Sequence, residues 1–552
     1  MLRSHRRAAV AILAASLFAW AQSPPITDYI LQGWAILTRS NKNLATAAID
    51  PKFHVGPDGH WPVYVGRTEN AAQVGREVRA QMPAEDFRKI DIRRLPEEIS
   101  RIPEQGLLYL PKPYVVPGGR FNEMYGWDSY FIQLGLLKDN ETELAKDMAD
   151  NFLYEIRQYG KILNANRTYY LTRSQPPFLT EMLLGVYRQT RDRSWLAESV
   201  EPAIAYYGYW TSEPHLTGQT GLSRYFDLGD GPAPEVLASE VNSAGRTHYE
   251  LVKDYFRTHR VEDYDVSRFY DRKRDELTPL FYKADRSMRE SGFDPSARFG
   301  PFNADIVDYN PVCLNSLLYV MEKEMAEILE IVGRGAEAEI WRTRATARAE
   351  RVNRFMWDAE DGLYYDYNFA QARIRRYSFL TTFYPLWAGI ANKDQAERVR
   401  RALGKFERPG GLRTSTNRSG DQWDAPFGWA PLQLIAVEGL RRYGYQAEAD
   451  RIARKFISLV TKEFEEHGTI VEKYDVKRRE SDVAADIKFG YSGNQVGFGW
   501  TNGVFVELLA GLEASRAARP AARLGAPVSE PRPSRVRGAG SPAAADPPRP
   551  SP

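Results

Sequence analysis

The sequence predicts an all-α fold. Apolar residues recur at helical spacing in one stripe after another: Leu144, Met148, Phe152 and Ile156; Met321, Met325, Ile328, Leu329 and Val332; Ile452, Phe456, Leu459 and Val460. Residues three or four apart share one face of a helix, so these stripes are core positions and carry no chemistry of their own. Long alternating segments, the mark of a half-buried strand, are scarce. Between the helical stretches come loops rich in Gly, Pro, Asn and aromatics, at 111–128, 160–178, 220–236, 290–311, 409–431 and 468–503. That rhythm predicts helical hairpins in series with their functional loops collected at one end. The chain has no clean sequence repeat that would prove a closed ring.

Residues 1–21 read as a secretory signal. Arg3, Arg6 and Arg7 make a positive start, Ala8 to Leu17 is a short apolar run, and Ala19-Trp20-Ala21 fits a small-x-small cleavage site. The run is too short for an ordinary transmembrane helix. The expectation is a periplasmic or secreted protein with no membrane span once the signal is removed. Residues 22–105 read as an N-terminal helical and loop cap on the same domain. His54 and His60 stand six apart there, which does not suit one helical face, so no metal site is expected. Residues 106–515 form the main helical domain, with no Ser/Gly linker inside it. From 516 to 552 arginine, alanine and proline dominate, and the tail is expected to be disordered.

The formal charge is +2, from 74 basic and 72 acidic residues, which argues against a general electrostatic attraction to nucleic acid. The chain has one cysteine, Cys313, in the apolar setting Pro311-Val-Cys-Leu-Asn315, so an intrachain disulfide is excluded and a buried, inert thiol is expected.

The stretch Pro117–Phe131 organises the rest. Two adjacent glycines let the backbone turn. Arg120 follows, and then Glu123, Tyr125, Trp127 and Asp128 alternate aromatics with carboxylates. That mix suits a sugar: aromatic faces cover the C–H surface of the ring while carboxylate and guanidinium take its hydroxyls. A turn leading into a buried aromatic helix is the plain alternative. Gln422–Pro431 repeats the chemistry far downstream, with amide, indole, carboxylate, glycine and indole between stiffening prolines. Leu163–Pro177 adds Arg167 and Arg173 beside Asn164 and Asn166; a solvated loop is the alternative reading there.

Cleaving a glycosidic bond takes two carboxyl groups. One protonates the leaving oxygen, and the other is either a nucleophile or a base for water. Composition alone cannot choose the pair from so many acids. Asp294 follows Gly292 and Phe293 and precedes Pro295, so a kinked loop presents it; burial beside Phe293 would raise its pKa, as an acid catalyst requires. Asp before Pro is also ordinary turn chemistry. Glu472 emerges from Ile470-Val471 with Lys473 and Tyr474 beside it, and a neighbouring cation keeps a base ionised. A surface Glu–Lys pair is the alternative.

Together the 117–131 and 422–431 stretches resemble the two signature motifs of the trehalases, glycoside hydrolase family 37. Leu163–Pro177, Glu290–Arg298, Thr469–Val476 and Gly497–Gly503 resemble further family segments. The resemblance implies an (α/α)6 toroid with the active site in the funnel at one mouth. It implies Asp294 as general acid and Glu472 as general base of an inverting hydrolysis of α,α-trehalose to two glucose molecules, without cofactor or metal. It further implies Arg120, Trp127, Asp128, Asn164, Arg173, Ser174, Gln175, Glu235 and Gly292 as substrate-binding residues. The expected partner is the disaccharide alone, bound by a monomer that takes no nucleic acid.

The resemblance is uneven. Where the family carries Arg two positions before a substrate-binding Glu, this chain has Ala233 before Glu235. Arg246, on another loop, is the candidate replacement. Residues 477–496 are longer and more charged than the family's glycine-rich stretch, and Tyr491 stands near the place of a Glu. Two alternatives follow. One is an α-glycosidase on another small glycoside of the glucosyl- or mannosyl-glycerate type, whose acidic aglycone Lys477, Arg478 and Arg479 would suit. The other is a non-catalytic sugar-binding protein.

Overall fold

A computed structural model describes residues 25–238, 245–490 and 493–524. The proposed signal at 1–21 and Tyr491 lie outside the described residues.

The fold is an (α/α)6 barrel. Its inner ring runs through helices Asp128–Lys138, Leu179–Thr190, Val312–Ile331, Tyr384–Ala388, Ala430–Arg442 and Gly499–Leu524, each packed on the next, the last returning to the first. Outer helices Thr142–Tyr159, Arg193–Trp210, Gly335–Met356, Lys393–Arg401 and Gln446–His467 alternate with them, and Ile26–Leu37 leans on the last inner helix. The stripes explain why these segments are helices and which way they face. Met148, Phe152 and Ile156 are buried, as are Met321, Met325, Ile328 and Leu329, and Ile452, Phe456, Leu459 and Val460. The hydrophobic effect drives those faces together.

Closure depends on glycine. A Cβ on Gly503 would sit 2.0 Å from the Phe131 carbonyl oxygen, and one on Gly135 would sit 2.7 Å from the Gly503 Cα. The first and last inner helices therefore meet nearly backbone to backbone, which only glycine permits.

Three expectations need correction. Residues 22–105 are not only helix and loop. Strand Trp61–Val65 pairs in parallel with Ile90–Arg94 and with Leu107–Leu108, because the aromatic and β-branched run at 61–65 buries Val63 and Val65 in a small core of its own and Tyr64 against Leu163 and Leu171. The final helix continues to Leu524, past the expected onset of disorder at 516. Arg246 does not approach the funnel: it pairs with Asp254 and donates to the Glu250 carbonyl, on and beside helix His248–Thr258. Cys313 is buried as expected, beside Arg298 and Tyr225, and burial pushes its thiol up. Among the described residues no helix is long and apolar enough to cross a membrane.

Candidate active site

The loops at one mouth of the barrel enclose a cavity of about 170 Å³. It draws on every polar, aromatic-rich loop singled out from the sequence. Arg120, Trp127 and Asp128 come from the first, Asn164, Arg173 and Gln175 from the second, and Glu235 from the third. Gly292 and Asp294 come from the fourth, Trp423 and Trp429 from the fifth, and Glu472 and Trp500 from the last.

The floor is aromatic. Trp127 meets Phe293, Trp423 and Trp500 with ring centres 5.4–5.8 Å apart, and Trp423 stacks on Trp429 at 3.8 Å. Such faces cover the C–H surface of a sugar ring. The Trp127 N–H donates to Gln175 Oε1 at 3.0 Å, tying the start of helix Asp128–Lys138 to the second loop. Gly292 has φ +76°, and a Cβ there would stand 2.9 Å from the Trp127 indole, so glycine keeps that floor open.

Arg173 is nearly fully buried. Its Nε donates to Asn164 Oδ1 at 2.8 Å and its Nη2 to Glu235 Oε1 at 2.5 Å, while its guanidinium covers the Tyr170 ring at 4.7 Å. Burial opposes ionisation of Glu235, but Arg173 and Arg289 outweigh it and leave the carboxyl below its usual range.

Asp294 and Glu472 line this one cavity. Burial pushes Asp294 up to about 6, against the pull of Arg289 and Arg173. Arg289 stands 3.7 Å from Asp294 and forks onto Asp285 at 3.1 and 3.2 Å. Gln422 donates to the Asp294 carbonyl oxygen and fixes the loop. Glu472 is buried, and Lys473 reaches its carboxylate at 3.0 Å. Lys473 also approaches Gln422 Oε1 at 3.3 Å and lies 5.1 Å over Trp429. The backbone explains this convergence: Phe427–Trp429 pairs antiparallel with Lys473–Asp475, placing Lys473 opposite Trp429. Asp128 lines the same cavity. Burial, with Glu472 and Asp294 adding to it, raises its pKa well above the usual range.

Ser174 stands apart from the other expected binding residues. It is fully buried outside the cavity lining; its N–H donates to Glu290 and its hydroxyl pairs with Tyr206 at 2.9 Å, so it supports the loop from behind. Arg478 is spent on Asp475, Glu480 and Asp486, Arg479 bonds Ser458, and neither they nor Lys477 line the cavity. The basic loop therefore does not present a site for an acidic aglycone. Sequence reasoning missed Lys52, Tyr170 and Arg289, all on the cavity wall. Arg289 is a cavity cation that bears on Glu235, the carboxyl two positions after Ala233. Its only local signal was its place three residues before Gly292, at the end of helix Pro279–Glu290, where charge reads as a solvated face.

A family profile described as Trehalase matches residues 62–513. The cytosolic neutral trehalase of Saccharomyces cerevisiae is 39% identical over 431 residues, covering 71% of this chain and 56% of the relative. The cytosolic neutral trehalase of Emericella nidulans is 39% identical over 438 residues, covering 71% of this chain and 57% of the relative. The chain thus spans little more than half the length of these curated relatives. The solved structure of neutral trehalase Nth1 from Saccharomyces cerevisiae superposes with a TM-score of 0.73 at 34% identity, covering 90% of this chain and 95% of that one. These names overturn the expectation of a periplasmic or secreted protein. Four of these relatives are named as cytosolic neutral trehalases.

Proposed function

The chain belongs to the trehalase family, and on that premise we propose that it hydrolyses α,α-trehalose to two glucose molecules with inversion, Asp294 acting as general acid and Glu472 as general base. The observation that carries the reading is the pair of carboxyls, Asp294 and Glu472, on one sugar-sized, tryptophan-floored cavity. An acid must hold its proton until the transition state, and Asp294, pushed up to about 6, is suited to do so near neutral pH. A base must be held in place, and Lys473, 3.0 Å from Glu472, fixes its carboxyl on the cavity.

In this mechanism Asp294 gives its proton to the interglycosidic oxygen. Glu472 takes a proton from a water, whose oxygen attacks the anomeric carbon from the opposite face. Arg120, Trp127, Asp128, Asn164, Arg173, Gln175, Glu235 and Gly292 bind the sugars, joined by Arg289. Ser174 acts by holding Arg173 and Gln175 in place. We further propose that the protein works as a monomer, without metal or cofactor, and takes no nucleic acid. A glycerate-linked substrate is not favoured, because its basic loop is committed elsewhere.

Incubation of the purified chain with trehalose, followed by proton NMR, tests this directly. Equal release of the α and β anomers in the first minutes is expected, since inversion gives one β-glucose and the departing unit is α. Release of α-glucose alone, or no glucose, refutes the reading.

A further inference from the structure

Lys52 reaches the cavity from a segment ahead of residue 62, where the family match begins. A buried clamp holds that segment. Arg167 donates through Nη1 to the Ala48 carbonyl and through Nη2 to the carbonyls of Ala47 and Ile49, each at 2.9 Å. Its Nε pairs with Glu123 at 2.6 Å. The Tyr169 hydroxyl donates to one oxygen of Asp50 at 2.8 Å, and the Lys52 N–H donates to the other at 2.9 Å. Phe53 stacks on Tyr169 at 5.3 Å. A buried ion pair of this kind adds little net stability; what it fixes is position. The position fixed is that of Lys52.

The other cations deep in the wall are committed. Arg173 is paired with Glu235, Arg289 with Asp285 and Lys473 with Glu472. The Lys52 ammonium lies 5.6 Å over the Tyr169 ring and, among the described residues, makes no hydrogen bond and no ion pair. Burial by itself would lower its pKa, but Tyr170, Glu123 and Asp50 outweigh that, so it stays charged. A charged donor on a sugar cavity, with its three N–H bonds unspent on protein, is matched by a sugar hydroxyl.

The contacts also say which sugar. Tyr170 shares this wall with Lys52, and the Arg173 guanidinium covers its ring. Arg173 and Arg289 are the cations that bear on Asp294. The acid must stand beside the leaving oxygen, and Lys52 enters from the partly exposed segment 51–55 rather than from the buried tryptophan floor, which puts it on the side of the departing glucose.

We propose that Lys52 is a specificity-determining residue that binds a hydroxyl of the leaving glucose and so selects a disaccharide over a substrate without a second sugar. This rests on the proposed function, and the experiment separates the two. Wild type, K52M, K52Q and K52R are compared on trehalose and on α-glucosyl fluoride, which has no leaving sugar. For K52M and K52Q, kcat/KM on trehalose should fall roughly ten- to hundred-fold, chiefly through KM, as loss of a charge-assisted hydrogen bond requires. Their values on the fluoride should stay at the wild-type level. K52R, which keeps a charged donor, should recover most of the trehalose activity. An equal fall on both substrates would mean that Lys52 only supports the fold, and no fall on trehalose would mean it binds nothing there; either overturns the inference. A wild-type protein that cleaves the fluoride but not trehalose overturns the proposed function, and this inference with it.

Discussion

Arg289 should set the alkaline limit of the proposed hydrolysis. The proposed acid, Asp294, must be protonated, and burial has pushed it up to about 6 while Arg289, 3.7 Å away, pulls it down. Replacing Arg289 by Met removes that pull, so the acid should keep its proton to higher pH. Coulomb's law at 3.7 Å gives about 1 kcal/mol at the dielectric constant of water and about 4–5 kcal/mol at an effective constant of about 20. The Asp294 side chain keeps 35% of its surface exposed, so solvent screening favours the lower end. Arg289 also shares its charge with Asp285, which weakens it further. At about 1.4 kcal/mol per pH unit, the expected shift is about one unit upward. The assay is kcat/KM for trehalose across pH, which reports the free enzyme's groups. R289M should lower the height of the profile by losing a sugar contact and move its alkaline limb up. An alkaline limb that stays in place or moves down refutes the assignment of Asp294 as the acid or of Arg289 as its governor.

The remaining predictions concern single groups. D294N and E472Q should each fold with wild-type circular dichroism and lose about 10²–10⁴ of kcat; an active variant takes that residue out of the mechanism. R167M strands buried Glu123 and releases the carbonyls of 47–49, and should cost about 3–5 kcal/mol in denaturant unfolding; an unchanged midpoint would show the clamp to be idle. G292A forces a Cβ against the Trp127 indole at a backbone angle that favours glycine. It should raise KM for trehalose more than it lowers the melting temperature, and a wild-type KM would show that the floor has room to spare.

Much of this was legible in the chain, for a physical reason. Periodic burial is a local property, so Met148, Phe152 and Ile156, or Ile452 and Phe456, announce their inward face by spacing alone. The loops that line the cavity were legible because aromatic, amide and carboxylate groups crowd there beyond what a turn needs. Ring closure was not, because it rests on Gly135 meeting Gly503 across most of the chain, and no local window holds both. The strand Trp61–Val65 was missed because it contains a proline and carries no alternation, being buried on both faces. Arg289 and Lys52 were missed for a shared reason: a lone charge on a helix end or a loop looks solvated until the fold shows what it faces. Ser174 erred the other way, as a polar residue in a functional motif whose side chain turns outward to Tyr206.

The charges in the cavity can be balanced one against another, and the balance singles out Asp128. Glu235 has Arg173 at 2.5 Å, Glu472 has Lys473 at 3.0 Å, and Asp294 has Arg289 at 3.7 Å. Asp128, only 4% exposed, has no ion-pair partner among the described residues and stands near two of those acids. A buried carboxylate with like charges beside it and no cation is more stable as the neutral acid. Burial and these neighbours thus favour the neutral, hydrogen-bond-donating form of Asp128, where the sequence suggested an acceptor. An amide has the same shape, is neutral and also donates. D128N should thus keep KM for trehalose within a few-fold of wild type, whereas D128A, which leaves the sugar hydroxyl without a partner, should raise it about ten-fold or more. If D128N fails as badly as D128A, the sugar needs the ionised carboxylate, and the balance drawn from these pairings is wrong.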